Sequence, residues 1–154
     1  MQRAGRIVWR QLSLRALLPA EDDAGATRWA IAMPDVYSIR HTTVEDYTEP
    51  VVHEIKVSRA DWLSDLRRAA KGAAYLALSS QCWYVLRKGI AEVDEVPDSF
   101  GVMFADEGSL EVARPAPRRA LRPPFAVWMA LARAHAEPPL DESQPLLGPG
   151  QPPP

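Results

Sequence analysis

Glu54 and Lys56 stand two apart in "VVHEIKVSR", Val51 to Arg59. A strand alternates its faces with period two, so an acid and a base at this spacing point the same way. Val51, His53, Ile55 and Val57 would point the other way, which makes that face apolar apart from His53. An ion pair on the solvent side of a half-buried strand explains the pattern and contributes little. Half of a metal site explains it too. Upstream, "MPDVYSI" supplies a further acid, Asp35, directly after Pro34. Two carboxylates at one spot repel, and burying them is costly unless a cation sits between them. Oxygen-only ligands of this kind suit magnesium or manganese. A lysine beside such a metal can hold the attacking water or stabilise negative charge developing on a phosphate.

These residues need a scaffold. "TRWAIAMPDVYSIR" alternates larger apolar residues with smaller or polar neighbours and reads as one strand, distorted or unpaired at Pro34, which cannot donate to a sheet ladder. "HTTVEDYTEP" is a polar turn, and the Glu54 strand returns antiparallel, so the bend at Pro34 can aim Asp35 at Glu54. Ser58 and Asp61 of "SRAD" form a capping box that opens a helix running to about Ser79. Trp62, Leu66, Ala69, Ala73 and Leu76 form its sheet-facing stripe.

Around this core, Ile7 to Leu18 reads as a helix ended by Pro19 and the acidic "AEDDAGA". "CWYVLRKG" is a short buried strand, and "SFGVMFADEGSLEVARP" a hairpin turning at Glu107 and Gly108. "PPFAVWMALARAHAE" is a final helix with proline at its start. The order αββαβββα predicts a mixed α/β fold, a central sheet with helices packed on it.

Composition sets outer limits. The 154 residues, 47% hydrophobic and 25% charged, suit one domain over residues 1–137. Residues 138–154, rich in proline and glycine, are expected to form a disordered tail. The net charge of −2 neither favours nor opposes a nucleic-acid partner, so a local basic face is what matters. A single cysteine, Cys82, rules out an intramolecular disulfide and a cysteine zinc site, and fits a reducing cytoplasm. No apolar run approaches the length of a bilayer span.

With Pro34–Asp35, a hydrophobic strand and Glu54–Lys56 in this order, the chain resembles the PD-(D/E)xK nuclease superfamily. "KGAAY" places Lys71 and Tyr75 four apart on one helix face, with Arg67 a turn earlier, similar to the QxxxY-type helix of exonuclease-like members. The stretch "EIKVSRADWLSDLR", the strand "CWYVL" and "FGVMFADEGSLEVARPAP" resemble bacterial MmcB-type DNA repair proteins. The likeness spans Trp29 to Arg133. It implies a restriction-endonuclease-like core, with Asp35 and Glu54 as metal ligands and the Ile55 carbonyl completing the shell. Lys56 would be catalytic base or electrostatic stabiliser, and Arg67, Lys71 and Tyr75 would bind the substrate phosphate. The implied activity is magnesium- or manganese-dependent hydrolysis of DNA phosphodiesters in repair or related DNA processing. A homodimer or repair-protein partners are compatible with it. The alternative is an inactive nuclease-like module that binds DNA or a partner. The departure that favours the alternative is a missing acid: many members add a glutamate from the first helix, and residues 1–20 hold none. Glu21, Asp22 or Asp23 would have to substitute by folding back.

Simpler explanations stand beside these. Arg67, Arg68 and Lys71 also fit the solvated face of an amphipathic helix. Arg114, Arg118, Arg119 and Arg122 form a second basic cluster, either a surface loop or a contact to a duplex backbone. His53 is expected in the core, His41 in a turn and His135 in the last helix. Trp62, Trp83 and Trp128 are read as core. Glu45, Asp46 and Glu49 are read as a solvated turn.

Overall fold

The N-terminal segment folds as strands and not as the helix expected over Ile7 to Leu18. In the computed structural model, which describes residues 5–138, the chain begins with β1 (Arg6–Arg10), β2 (Leu14–Pro19), β3 (Thr27–Ala32), β4 (Val36–Arg40) and β5 (Val51–Lys56). Two helices follow, α1 (Arg59–Leu66) and α2 (Ala69–Leu78). The chain continues with β6 (Gln81–Arg87), β7 (Gly101–Asp106), β8 (Ser109–Arg114) and α3 (Phe125–Arg133). The expected disordered tail lies outside the described residues, apart from Pro138.

The physical reason for the first correction is local. Ile7, Val8 and Trp9 are β-branched or aromatic and favour an extended chain. On β2, Leu14, Ala16 and Leu18 are buried while Arg15, Leu17 and Pro19 are exposed, a period of two. Gln11 takes a φ of 48° between the two strands, which a helix does not tolerate.

Pro34 divides the run Thr27 to Arg40 into two strands of different sheets, where one distorted strand was expected. β3 pairs antiparallel with β2 in a two-stranded ribbon. β4 enters a six-stranded sheet of order β1-β4-β5-β6-β7-β8. There β5, β6 and β7 run parallel, and the remaining pairs are antiparallel. The expected β4–β5 hairpin is present, pairing Val36 with His53 and Ser38 with Val51. The element order therefore differs from αββαβββα, while the coarser expectation, α/β with helices on a central mixed sheet, holds.

Ser58 caps α1 by accepting the Asp61 N–H at 3.2 Å. The helix expected to reach Ser79 breaks at Arg68, whose φ of −103° and ψ of 67° are not helical. The break resets the helical phase. Leu66, Ala69 and Ala73 are exposed, and the buried face is Trp62, Asp65, Ala74, Tyr75 and Leu78. Trp62 lies in the core as expected, whereas Trp83 and Trp128 are half-buried and His135 falls beyond the end of α3. No described helix is long and apolar enough to cross a membrane.

β7 and β8 turn at Glu107 and Gly108, both at positive φ, as two-residue hairpin loops require. The segment after β8 is a strap. The Arg114 guanidinium donates to the carbonyls of Val96, Pro97 and Phe100. Arg119 donates to the Ser79 carbonyl, Arg118 pairs with Glu49 and Arg122 with Asp46. This basic cluster is thus engaged by the protein: Asp98 and carbonyls hold Arg114, carbonyls hold Arg119, and the acids of the 45–49 turn hold Arg118 and Arg122. Gly101 lies under the strap, where a Cβ would fall 2.4 Å from the Trp83 ring and 2.6 Å from the Ala116 nitrogen. Gly101→Ala is therefore expected to cost about 3 kcal/mol, the upper end for overpacking. Urea unfolding checks this, and a loss below about 1 kcal/mol would mean that the strap yields freely.

Candidate active site

β4 starts at Val36 and leaves the last residues of β5 without a backbone partner on that side. Proline at position 34 has no N–H to give, and the chain turns away there. The Asp35 side chain takes over, its Oδ2 accepting the Ile55 N–H at 2.7 Å. The Asp35 N–H in turn points at Glu54 Oε2, 3.4 Å away. The bend at Pro34 thus brings Asp35 to Glu54.

The Glu54–Lys56 face of β5 looks inward, towards α1 and α2. Glu54 is 3% exposed and Lys56 8%, while Ile55 and Val57 on the other face are exposed. The second face, expected to be apolar apart from His53, is exposed at its end. Only Val51 and His53 are covered there, where β4 still pairs with the strand; beyond them β5 outruns β4.

Lys56, Asp65, Lys71, Tyr75 and Tyr84 close the cluster. Lys56 Nζ lies 2.8 Å from Glu54 Oε1 and 3.5 Å from Asp65 Oδ1. Lys71 Nζ lies 2.6 Å from the same Glu54 oxygen and also pairs with Asp65. Tyr75 donates its hydroxyl to Glu54 Oε2 at 2.9 Å, with the Met33 carbonyl as an alternative acceptor at 3.2 Å. Tyr84 donates to Asp65 Oδ2 at 2.8 Å. Three carboxylates face two ammonium groups, a near-balance that lets so much charge lie inside.

Burial raises the Asp35 pKa above the usual carboxylate range and the charge of Glu54 adds to it, against the Ile55 amide and the lysines. At Asp65 burial pushes the same way, but the hydrogen bonds from Lys71 and Tyr84 win and hold its pKa low. Lys71 is a stable ammonium. Burial works against its charge, yet Asp65 and Glu54 together lift its pKa. Burial and the neighbouring carboxylates keep Tyr75 and Tyr84 protonated, so both act as donors.

The structure therefore brings together Asp35, Glu54, Lys56, Lys71 and Tyr75. Arg67 stands apart: it is exposed at the end of α1 and contributes to a groove beside the cluster. Glu21 is engaged with Arg28, and Asp22 and Asp23 are exposed. The third carboxylate of the cluster is instead Asp65, which sequence reasoning missed. Its signal was an acid three residues after Trp62, on a face otherwise destined for burial. Tyr84 was missed too, because only the parallel β5–β6 register sets it opposite Glu54.

No family model and no curated protein matches this chain. Among solved structures it is similar to the SPO1766 protein of unknown function from Silicibacter pomeroyi, at 23% identity and a TM-score of 0.49. The alignment covers 77% of this chain and 65% of that one, so the chain spans less than two thirds of that protein's length.

Among the described residues no group of three or more His, Cys, Asp or Glu side chains is arranged to hold a metal ion. Asp65 meets Glu54 through the lysines, which sit on Glu54 Oε1, whereas Asp35 approaches Oε2. Asp35 and Glu54 remain, adjacent and oxygen-only. Magnesium is commonly held by one or two carboxylates and keeps several waters, so this pair fits it in kind. Asp35 is half-buried and carries a charge that its surroundings penalise, which a cation would relieve. Glu54 is less available, since Lys56, Lys71 and Tyr75 already occupy both its oxygens.

Proposed function

We propose that this chain is a metal-dependent DNA nuclease of the PD-(D/E)xK type, built on a restriction-endonuclease-like core and serving DNA repair or related DNA processing. The observation that carries the reading is the meeting of Asp35 and Glu54 at the point where β4 leaves β5, with Lys56, Lys71 and Tyr75 on the same carboxylate. Asp35 and Glu54, with the Ile55 carbonyl, would hold magnesium or manganese. The ion would supply Lewis acidity towards a phosphoryl oxygen.

The chain's own residues do the rest. Lys71, the more exposed ammonium, receives a phosphate of the strand, and Tyr75 donates a hydrogen bond beside it. Lys56 sits deeper, between Glu54 and Asp65. It keeps a positive charge at the reacting centre and orients water there. Asp65 and Tyr84 position both lysines.

Metal-dependent cleavage of labelled DNA tests this. Asp35→Asn and Lys56→Ala are each expected to lower the rate by at least about 10²-fold, as loss of one preorganised stabilising group does. DNA binding in EDTA should change little, with circular dichroism confirming that both variants fold. Cleavage that persists in Lys56→Ala would defeat the assignment.

One observation favours a second reading, a nuclease-like module that binds DNA or a partner without cutting. Glu54 is saturated by protein donors and so has no need of a metal. Thermal melting with and without magnesium separates the two, since only the nuclease gains stability from the ion.

A further inference from the structure

Beside the acid–lysine cluster an open groove of about 720 Å³ runs between β3 and the start of α2. Arg28, Arg67, Arg68 and Lys71 line it, and among the described residues no carboxylate does. Lys71 and Tyr75 belong both to the groove and to the hydrogen bonds on Glu54, so the groove opens onto the site. Arg28 reaches out to Glu21 at 3.5 Å. Arg67 and Arg68 are exposed, and neither takes part in an ion pair among the described residues. α2 begins here with no side-chain cap and no acid in its first turn, so its unpaired N–H groups add to the positive field.

The outer face of the β2–β3 ribbon adds a different chemistry. Trp29 is 56% exposed, Ile31 74% and Met33 59%. Leu17 lies directly across from Trp29 on β2 and is exposed as well. Their strand-mates Ala30 and Ala32 turn inward, so β3 covers its alanines and presents Trp29 and Ile31, while β2 buries Leu14 and Leu18. A cationic groove without acids is complementary to a phosphate backbone. Ile31 and Met33 of the outer face line the groove as well, so the two surfaces meet along the edge of β3. That apolar edge, with Trp29 next to Ile31 on the outer face, is complementary to unpaired bases, which stack on such side chains. A duplex keeps its bases inside and uses a broad surface, roughly 1,000–2,500 Å². This groove has the size of a small-ligand cleft, on the order of 300–1,000 Å³.

We infer that the groove binds a single-stranded stretch of nucleic acid, its backbone along Arg67, Arg68 and the start of α2, its bases on Trp29 and Ile31. The inference deepens the nuclease reading by naming the substrate as an unpaired strand or end, and rests on that reading only for which phosphate reaches Lys71. The acidic tip of the ribbon, Glu21 to Asp23, ends the binding face by repelling the backbone.

Fluorescence anisotropy of the full chain in EDTA, with labelled oligothymidine and a labelled hairpin duplex, tests it. Oligothymidine is expected to bind at least tenfold more tightly than the duplex. Trp29→Ala should weaken it about tenfold, as loss of a base-stacking aromatic does. The Arg67→Ala/Arg68→Ala double variant should weaken it and reduce the salt slope by about 1.4, from roughly 0.7 per phosphate contact on a single strand. Equal affinity for duplex, or affinity unchanged in both variants, would overturn the inference. So would displacement of the oligonucleotide by polyglutamate at equal charge, which would make the occupant an acidic peptide. Strand binding without metal-dependent cutting keeps the groove and removes the nuclease. Cutting of duplex without preference for unpaired strands does the reverse.

Discussion

Glu54→Ala is expected to destabilise the fold by about 3–5 kcal/mol, the cost of leaving buried charges without their partner. The substitution takes the acceptor from Lys56, Lys71 and Tyr75 at once. Asp65 then faces two ammonium groups alone. Adding Lys71→Met should recover part of the loss, because it leaves Asp65 and Lys56 as a balanced pair. The coupling in this double-mutant cycle is expected at roughly 1–3 kcal/mol, the range for residues of one network. Urea unfolding of the four proteins measures it. A loss below about 1 kcal/mol for Glu54→Ala, or no coupling to Lys71, would mean that water reaches the cluster and screens it.

The second large effect is a loss of stability in mild acid. His53 is 7% exposed, its Nδ1 has no hydrogen-bond partner among the described residues, and its ring stacks near Trp83. Burial, with the positive charge of Arg6 acting in the same direction, lowers its pKa from 6.5 to about 4. The folded protein therefore takes up the proton later than the unfolded chain. The stability that neutral His53 confers is complete above pH 6.5 and is lost as the pH falls through that value towards about 4. At about 1.4 kcal/mol per pH unit the loss is roughly 3 kcal/mol. Asp35 opposes it at the acid end, since its raised pKa lets the folded state take up that proton first. His53→Leu isolates the histidine. Unfolding at a series of pH values in EDTA should show the wild-type slope between 6.5 and 4 and a much flatter variant. Parallel curves would assign the acid sensitivity elsewhere.

Much of the candidate site was legible because it is built from local signals. Pro34 interrupts the run of strand residues around it, Ser58 caps a helix, and a period of two sets Glu54 and Lys56 on one face. The β7–β8 hairpin follows from a two-residue turn, and the β4–β5 hairpin from one polar loop over residues 41–50. The N-terminal strands were not legible, since "RIVWRQLSLRALLP" holds apolar residues at spacings that satisfy a helix as well as two strands. A bond partner far along the chain makes the choice: β1 pairs with β4, and β2 with β3.

By itself the sequence determined which groups are available for chemistry: Asp35 behind its proline, Glu54, Lys56, Lys71 and Tyr75, with the short-range geometry that starts to gather them. Only the tertiary structure decided that the Glu54–Lys56 face looks inward, that Asp65 and Tyr84 complete the cluster, and that the ribbon walls a basic groove. The division has one cause. A residue's face on its own element depends on period and neighbours, which are local. What that face meets depends on which strand pairs with which and on how a helix break such as that at Arg68 resets the phase, and these are settled by long-range burial.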